Sequence, residues 1–320
     1  MKGVNWAMLY RHLGNSGLEV SEIGIGTNNF GGRMDYRQTQ AVVHAALDEG
    51  INLLDTADIY SAGVSERYIG RALAGGTRHK ALIATKFGMK WADGPHGQGG
   101  SRQRIIEAVN GSLERLQTDY IDLYQIHRWD PVTPIEETLR ALDSLVRDGK
   151  VRYLGCSNFA AWQVAESAWT ARTCSLTPFV SAQPEYSLIQ RAPEAELLPA
   201  CEKYGLGVLP YFPLASGVLT GKYMRGTPPP PGTRLGRGTA QAAQRWLSDR
   251  NFEVVERLTK FADSRGHTVH ELAFAWLLGR KVVSSVIAGA STPEQVSQNA
   301  KAADWRMTVD DMKALDEAVM

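Results

Sequence analysis

Eight strand-length runs rich in Val, Ile, Leu and Tyr alternate with segments of helical spacing, and this rhythm restricts the fold more than any other feature of the chain. The runs are Ile23–Thr27, Ile51–Asp55, Ala81–Lys86, Ile121–His127, Arg152–Ser157, Phe179–Gln183, Leu206–Tyr211 and Ser284–Gly289. Their apolar character is nearly continuous, which predicts strands buried on both faces, as in a parallel sheet. Helical patterns fall at Arg37–Glu49, from Ser65 onward, and at Ser101–Leu116, Ile135–Asp148, Phe159–Arg172, Ala195–Tyr204 and Phe252–Arg265. Gly50 and Gly149 read as helix stops.

Two architectures satisfy such an alternation. An open doubly wound sheet binding a dinucleotide would carry a Gly-rich first turn. The nearest match, Gly24-Ile-Gly26-Thr-Asn-Asn29, lacks the third glycine and does not open a helix, and no P-loop is present. Closure of eight strands is the alternative. Such barrels run to about 250 residues or more, so a chain of 320 residues is predicted to be one α/β domain, 1–320. The predicted fold is a (β/α)8 TIM barrel with an N-terminal β-hairpin and extra C-terminal helices. Leu9–Val20, with Gly14-Asn15-Ser16-Gly17 at its turn, reads as that hairpin and is expected to plug the N-terminal end of the barrel. The segment TPPPPGTRLGRGTA, Thr227–Ala240, can be neither helix nor central strand. It follows the seventh run, which predicts a long loop beside an active site.

Bulk properties exclude several functions. A formal net charge of +1 gives no electrostatic footprint for nucleic acid or an acidic membrane. No run approaches the roughly 20 apolar residues of a membrane span, and MKGVNWAMLYRHLG has no apolar core of signal-peptide length. Cys156, Cys174 and Cys201 lack paired spacing, and the seven histidines lack HExxH spacing. Free thiols, a cytoplasmic location and no metal are therefore expected.

Polar residues stand at the C-terminal ends of the apolar runs, where barrel enzymes carry their chemistry. Asp55 ends the second, Lys86 the third and His127 the fourth; Ser157-Asn158, Gln183 and Tyr211 end the next three. Each alone has an ordinary explanation: a helix cap for Asp55, a snorkelling ammonium for Lys86, a structural histidine, a loop tyrosine at Tyr60. Converging on one mouth, they suit carbonyl reduction. Hydride adds to carbon and the oxygen takes a proton. A tyrosine near pKa 10 is a reluctant participant at neutrality, so Lys86 is expected to lower the Tyr60 pKa, with Asp55 holding Lys86 charged. His127 is expected to hydrogen-bond the substrate oxygen.

These residues resemble a known family. Asn52-Leu-Leu-Asp55-Thr-Ala-Asp58-Ile-Tyr60, with Gly63-Val-Ser-Glu66 and Ile69-Gly-Arg-Ala-Leu73, is similar to the aldo-keto reductase signature. Ala84-Thr-Lys86-Phe-Gly88, Tyr120-Ile-Asp-Leu-Tyr-Gln-Ile-His127, Gly155-Cys-Ser-Asn158-Phe, Pro213-Leu-Ala-Ser-Gly217-Val-Leu-Thr-Gly-Lys222-Tyr and Gly289-Ala-Ser291-Thr-Pro-Glu-Gln295 follow in family order. The resemblance implies a catalytic tetrad of Asp55, Tyr60, Lys86 and His127, with NAD(P)H extended across the barrel mouth. It implies that Ser157, Asn158 and Gln183 bind the nicotinamide carboxamide and that Tyr211 stacks on the ring. Leu214, Ser216, Gly217 and Lys222 are expected at the pyrophosphate, and Gly289, Ser291, Gln295, Gln298 and Asn299 at the adenosine. Thr27, Asp55, Phe212 and Pro213 complete the expected cofactor contacts. Pro293 can start a helix whose N-terminus attracts phosphate.

Mammalian reductases carry Lys-Ser where Gly289-Ala290 stand and Arg where Gln295 stands, and those groups clamp the 2′-phosphate. Neutral groups occupy the positions here, with Arg234 in the long loop as a helper. Resemblance to the Gly-Ala-Ser branch implies NADPH and leaves NADH open. The expected partner is a small carbonyl substrate, aldehyde or ketone, sugar-derived ones included. Trp91, Trp129, Phe30 and Tyr186 are candidates for its apolar pocket, with packing as the alternative for several of them, and the short tail after Trp305 is expected to contribute little. Nothing in the pattern sets an oligomeric state. A second reading is a non-catalytic NADP(H)-binding regulatory subunit resembling potassium-channel β subunits. Those proteins typically carry Asn at the position of His127, so the histidine favours turnover.

Overall fold

The computed structural model describes residues 8–319. Strands β3 (Ile23–Gly26), β4 (Leu53–Asp55), β5 (Leu82–Phe87), β6 (Ile121–Ile126), β7 (Val151–Ser157), β8 (Phe179–Gln183), β9 (Gly207–Val208) and β10 (Val286–Gly289) form one sheet in the order β10-β3-β4-β5-β6-β7-β8-β9. Every pairing in it is parallel. The two ends meet through parallel bridges Val208–Val283 and Tyr211–Ile287, with Ser284 N donating to Val208 O at 3.0 Å and Ile287 N to Pro210 O at 2.9 Å. The sheet is thus a closed (β/α)8 barrel.

Helices α1 (Tyr36–Asp48), α2 (Val64–Ala72), α3 (Arg102–Leu116), α4 (Ile135–Arg147), α5 (Ala161–Thr173) and α6 (Leu197–Tyr204) supply the crossovers. After β9 come α7 (Ala240–Trp246), α8 (Asp249–Asp263) and α9 (Val269–Leu278); α10 (Pro293–Ala302) and α11 (Val309–Val319) follow β10. The outer ring closes where α10 packs between α9 and α1, and α11 lies on α8 outside it. The segment Phe252–Arg265 therefore belongs to an added helix, α8, whereas α9 covers the barrel. α9 is buried along nearly its whole length, from Leu272 to Leu278. A helix covered on all sides has no polar stripe, so it shows no helical periodicity.

Strand β9 is shorter than the predicted Leu206–Tyr211. Pro210 has no N–H and ends the ladder, but Tyr211 N donates to Pro184 O at 3.0 Å and keeps the chain in line. The hairpin β1 (Tyr10–His12) and β2 (Glu19–Ser21) is antiparallel. Its Leu13, Leu18 and Val20 join Leu53, Ala84, Leu123, Leu209 and Ile287 in the barrel interior, closing the bottom as expected. Gly14, at φ +57°, sits so close to the barrel that a Cβ there would fall 2.4 Å from the Gly205 carbonyl oxygen. Among the described residues no helix is long and apolar enough to cross a membrane.

Candidate active site

Asp55 pairs with Ala84 across β4 and β5. Side chains alternate along a strand, so Lys86 lies on the same inward face one repeat higher. Lys86 Nζ donates to Asp55 Oδ2 at 2.8 Å, to Thr56 O at 2.8 Å and to the Tyr60 hydroxyl at 3.4 Å, and the Lys86 side chain is 0% exposed. Asp55 Oδ1 accepts from Gln183 Nε2 at 2.8 Å. The loop carrying Tyr60 leaves β4 with Thr56 N bonded to Ala84 O at 2.8 Å and Asp58 N to Lys86 O at 3.0 Å. A buried pair, Arg104 Nη2 to Asp58 Oδ2 at 2.6 Å, ties that loop to α3. His127 follows β6 directly; its N donates to Phe87 O at 2.8 Å, and its ring meets Tyr60 edge-on with centroids 6.0 Å apart. The four residues singled out by sequence thus stand together.

Their electrostatics differ from expectation in one respect. The Tyr60 pKa lies above its ordinary value, because desolvation by burial outweighs the pull of the Lys86 ammonium. The ammonium opposes the rise without reversing it. Burial, the largest influence on Lys86, pushes its pKa down, but Asp55 and Tyr60 together lift it above the usual lysine value. Burial, then Lys86 and Arg128, push the His127 pKa down to about 3. The imidazole is therefore neutral near pH 7. Burial raises Asp58 to about 6 against the pull of Arg104.

Above these residues opens a cavity of about 1250 Å³. Asp55, Tyr60 and His127 line it, while Lys86 lies behind them, reached only through its partners. Every residue expected at the cofactor lines the same cavity: Thr27, Ser157, Asn158, Gln183, the run Tyr211–Leu214, Ser216, Gly217, Lys222, Arg234, Gly289, Ser291, Gln295, Gln298 and Asn299. Asn158, at φ +57°, donates through Nδ2 to His127 O and Ser157 Oγ, both at 3.0 Å, and accepts from the Tyr211 hydroxyl at 2.7 Å. Phe212, Ala215 and Ser216 all have φ near +50°, and Gly217 follows at +92°. Such a run of strained backbone is characteristic of a ligand clamp. The Pro-rich segment lies beside the mouth as expected, contributing Gly232, Thr233, Arg234 and Arg237 to the lining.

A family model for the aldo/keto reductase family matches residues 22–320. The chain belongs to the aldo/keto reductase family. It is similar to a probable voltage-gated potassium channel subunit beta of Oryza sativa subsp. japonica, at 38% identity over 93% of this chain and 92% of the relative. An uncharacterized oxidoreductase of Bacillus subtilis (strain 168) is 36% identical, covering 97% and 95% of the two chains. A putative voltage-gated potassium channel subunit beta of Schizosaccharomyces pombe is 38% identical over 96% and 92%. Of these three relatives, the one from Bacillus is named as an oxidoreductase.

For the four aromatic pocket candidates of this aldo/keto reductase, the packing alternative is the one the structure bears out. None of Phe30, Trp91, Trp129 and Tyr186 lines the cavity. Phe30 and Tyr186 are core residues, Trp129 packs edge-on against Phe159 and Trp162, and Trp91 lies outside beneath the Arg115 guanidinium. Aromatic residues near strand ends serve packing as readily as binding. Other groups were not anticipated. Arg33, Met89, Arg128, Arg237, His270 and Lys301 line the cavity, and Arg104 anchors the Tyr60 loop. Arg104 shares the buried face of α3 with Ile105, Ala108, Val109 and Ser112, and a charge on an apolar stripe is a signal available from sequence.

Proposed function

We propose that this protein reduces aldehydes or small ketones, sugar-derived ones included, to alcohols at the expense of NADPH. In this reading residues 1–320 act as one catalytic domain in the cytoplasm. The cavity's donor set suits the cofactor. Asn299 Nδ2 is buried at the cavity wall without a hydrogen-bond partner, and the Lys222 ammonium and Arg234 guanidinium line the same space. Ser157, Asn158 and Gln183 hold the nicotinamide carboxamide, with Thr27 at the neighbouring strand end and Tyr211 as the stacking ring. Leu214, Ser216, Gly217 and Lys222 hold the pyrophosphate, Phe212 and Pro213 contribute further cofactor contacts, and Arg234 helps with the 2′-phosphate. Gly289, Ser291, Gln295, Gln298 and Asn299 hold the adenosine end.

When bound, the reduced nicotinamide supplies an electron pair as hydride to the carbonyl carbon. Tyr60 gives its proton to the carbonyl oxygen. A phenol held above its ordinary pKa by burial is fully protonated at neutral pH, as a donor must be. Once the proton leaves, the phenolate faces the Lys86 ammonium at 3.4 Å, and Asp55 keeps that ammonium in place. Neutral His127 hydrogen-bonds the carbonyl oxygen and does not compete as an acid.

The observation that carries this reading is the Asp55–Lys86–Tyr60 chain, 2.8 and 3.4 Å between partners, opening beside His127 into one cavity. The test is NADPH absorbance followed with 4-nitrobenzaldehyde or methylglyoxal. Turnover is expected. Tight NADPH binding with no turnover of either carbonyl would favour a non-catalytic regulatory subunit; the rice and fission-yeast relatives are named as voltage-gated potassium channel subunits beta.

A further inference from the structure

Among the described residues two carboxylates line the cavity, Asp55 and Glu271. Asp55 is neutralised by Lys86, and Glu271 accepts from Thr268 N at 2.7 Å and Thr268 Oγ1 at 2.8 Å at the start of α9. Against them stand Arg33, Arg128, Lys222, Arg234, Arg237 and Lys301. The cavity therefore carries an excess of positive charge, and a low-dielectric cleft focuses such a field on an anion. On the proposed reading, the cofactor phosphates account for Lys222 and Arg234, and for Arg33, whose charge presses on Arg234.

Arg128, Arg237 and Lys301 are left over, and of these Arg128 is the one next in sequence to the imidazole of the reacting end. It follows His127 directly, so it projects from the strand end that carries the imidazole. Its positive charge acts on both His127 and Tyr211, the two rings that flank the reacting end. Arg128 is exposed to the cavity mouth, and among the described residues no carboxylate pairs with it, as none pairs with Arg33, Arg234 or Arg237. We infer that Arg128 forms an oxyanion subsite, so that the preferred substrates are carbonyl compounds bearing a carboxylate or phosphate at the end remote from the C=O. A planar guanidinium meets such groups with two parallel hydrogen bonds. The inference rests on the reduction reading for its substrate, but not for the anion site itself.

The test compares 4-carboxybenzaldehyde and 4-formylphenyl phosphate with the neutral methyl 4-formylbenzoate, in the wild type and in Arg128→Gln. The acid-to-ester ratio of kcat/KM is expected to exceed unity in the wild type. It should fall about tenfold to a hundredfold in Arg128→Gln, the range of one charge-assisted contact. Whichever anion gives the larger ratio identifies the natural class. Binding of the same three compounds to the NADP+-loaded protein, which cannot deliver hydride, is measured by calorimetry in parallel. Anion-selective binding lost in Arg128→Gln, without turnover, would sink the reduction reading and leave the subsite standing. An ester used or bound as well as the anions, or an unchanged ratio in the variant, would overturn the subsite.

Discussion

The Lys86 ammonium is sealed from solvent 2.8 Å from the Asp55 carboxylate. Neither charge is tolerable there without the other, because desolvating an unpaired ion costs several kcal/mol. Lys86→Met should therefore lower the unfolding free energy by roughly 3–5 kcal/mol. Adding Asp55→Asn should recover part of that loss without restoring turnover. Urea melts of the two single variants and the double variant check this. Strictly additive losses would mean that the two groups do not interact.

His127 gives a pH signature. Its pKa is about 3 in the folded protein against an ordinary 6.5, so between those values the unfolded chain binds more protons. Stability then rises with pH across the window. The contribution is fully present above pH 6.5 and is lost as pH falls toward 3, a swing of roughly 3–5 kcal/mol. His127→Gln should flatten that part of the profile. Melts of both proteins at pH 7 and pH 4 measure the difference, and parallel losses would show that His127 is not the group responsible.

Gly217 combines φ +92° with a close neighbour that would have to move, since a Cβ would fall 2.7 Å from Lys222 Cε and Nζ at the end of a flexible side chain. Gly217→Ala should displace the Lys222 ammonium and cost about 1–3 kcal/mol of backbone strain. NADPH affinity should drop about tenfold or more, the equivalent of 1.4 kcal/mol, in a fluorescence titration. An unchanged affinity would remove this loop from the cofactor site.

The sequence could be read where a residue broke the pattern around it. Asp55, Lys86 and His127 stand out because each ends an apolar run, and a buried charge needs a reason. The barrel was legible for the same reason, since strands covered on both faces form continuous apolar runs. Helix α9 escaped because burial on every side erased its periodicity. Pro210 shortened β9, yet tertiary hydrogen bonds kept Tyr211 at the mouth. The net rise in the Tyr60 pKa could not be read at all. It depends on how deeply the hydroxyl is desolvated, which spacing along the chain does not encode. Phe30 and Tyr186 could not be decided between core and pocket, because aromatic side chains fill cores and line pockets by the same physics.

Tyr60→Phe separates the proton from everything else the site does. Burst and steady-state NADPH oxidation with 4-nitrobenzaldehyde is measured beside NADPH binding by fluorescence. Loss of a positioned acid should lower kcat by about 10²–10⁴-fold while the NADPH Kd stays within a few-fold of wild type. A variant that turns over within tenfold of the wild-type rate would contradict Tyr60 as the proton donor.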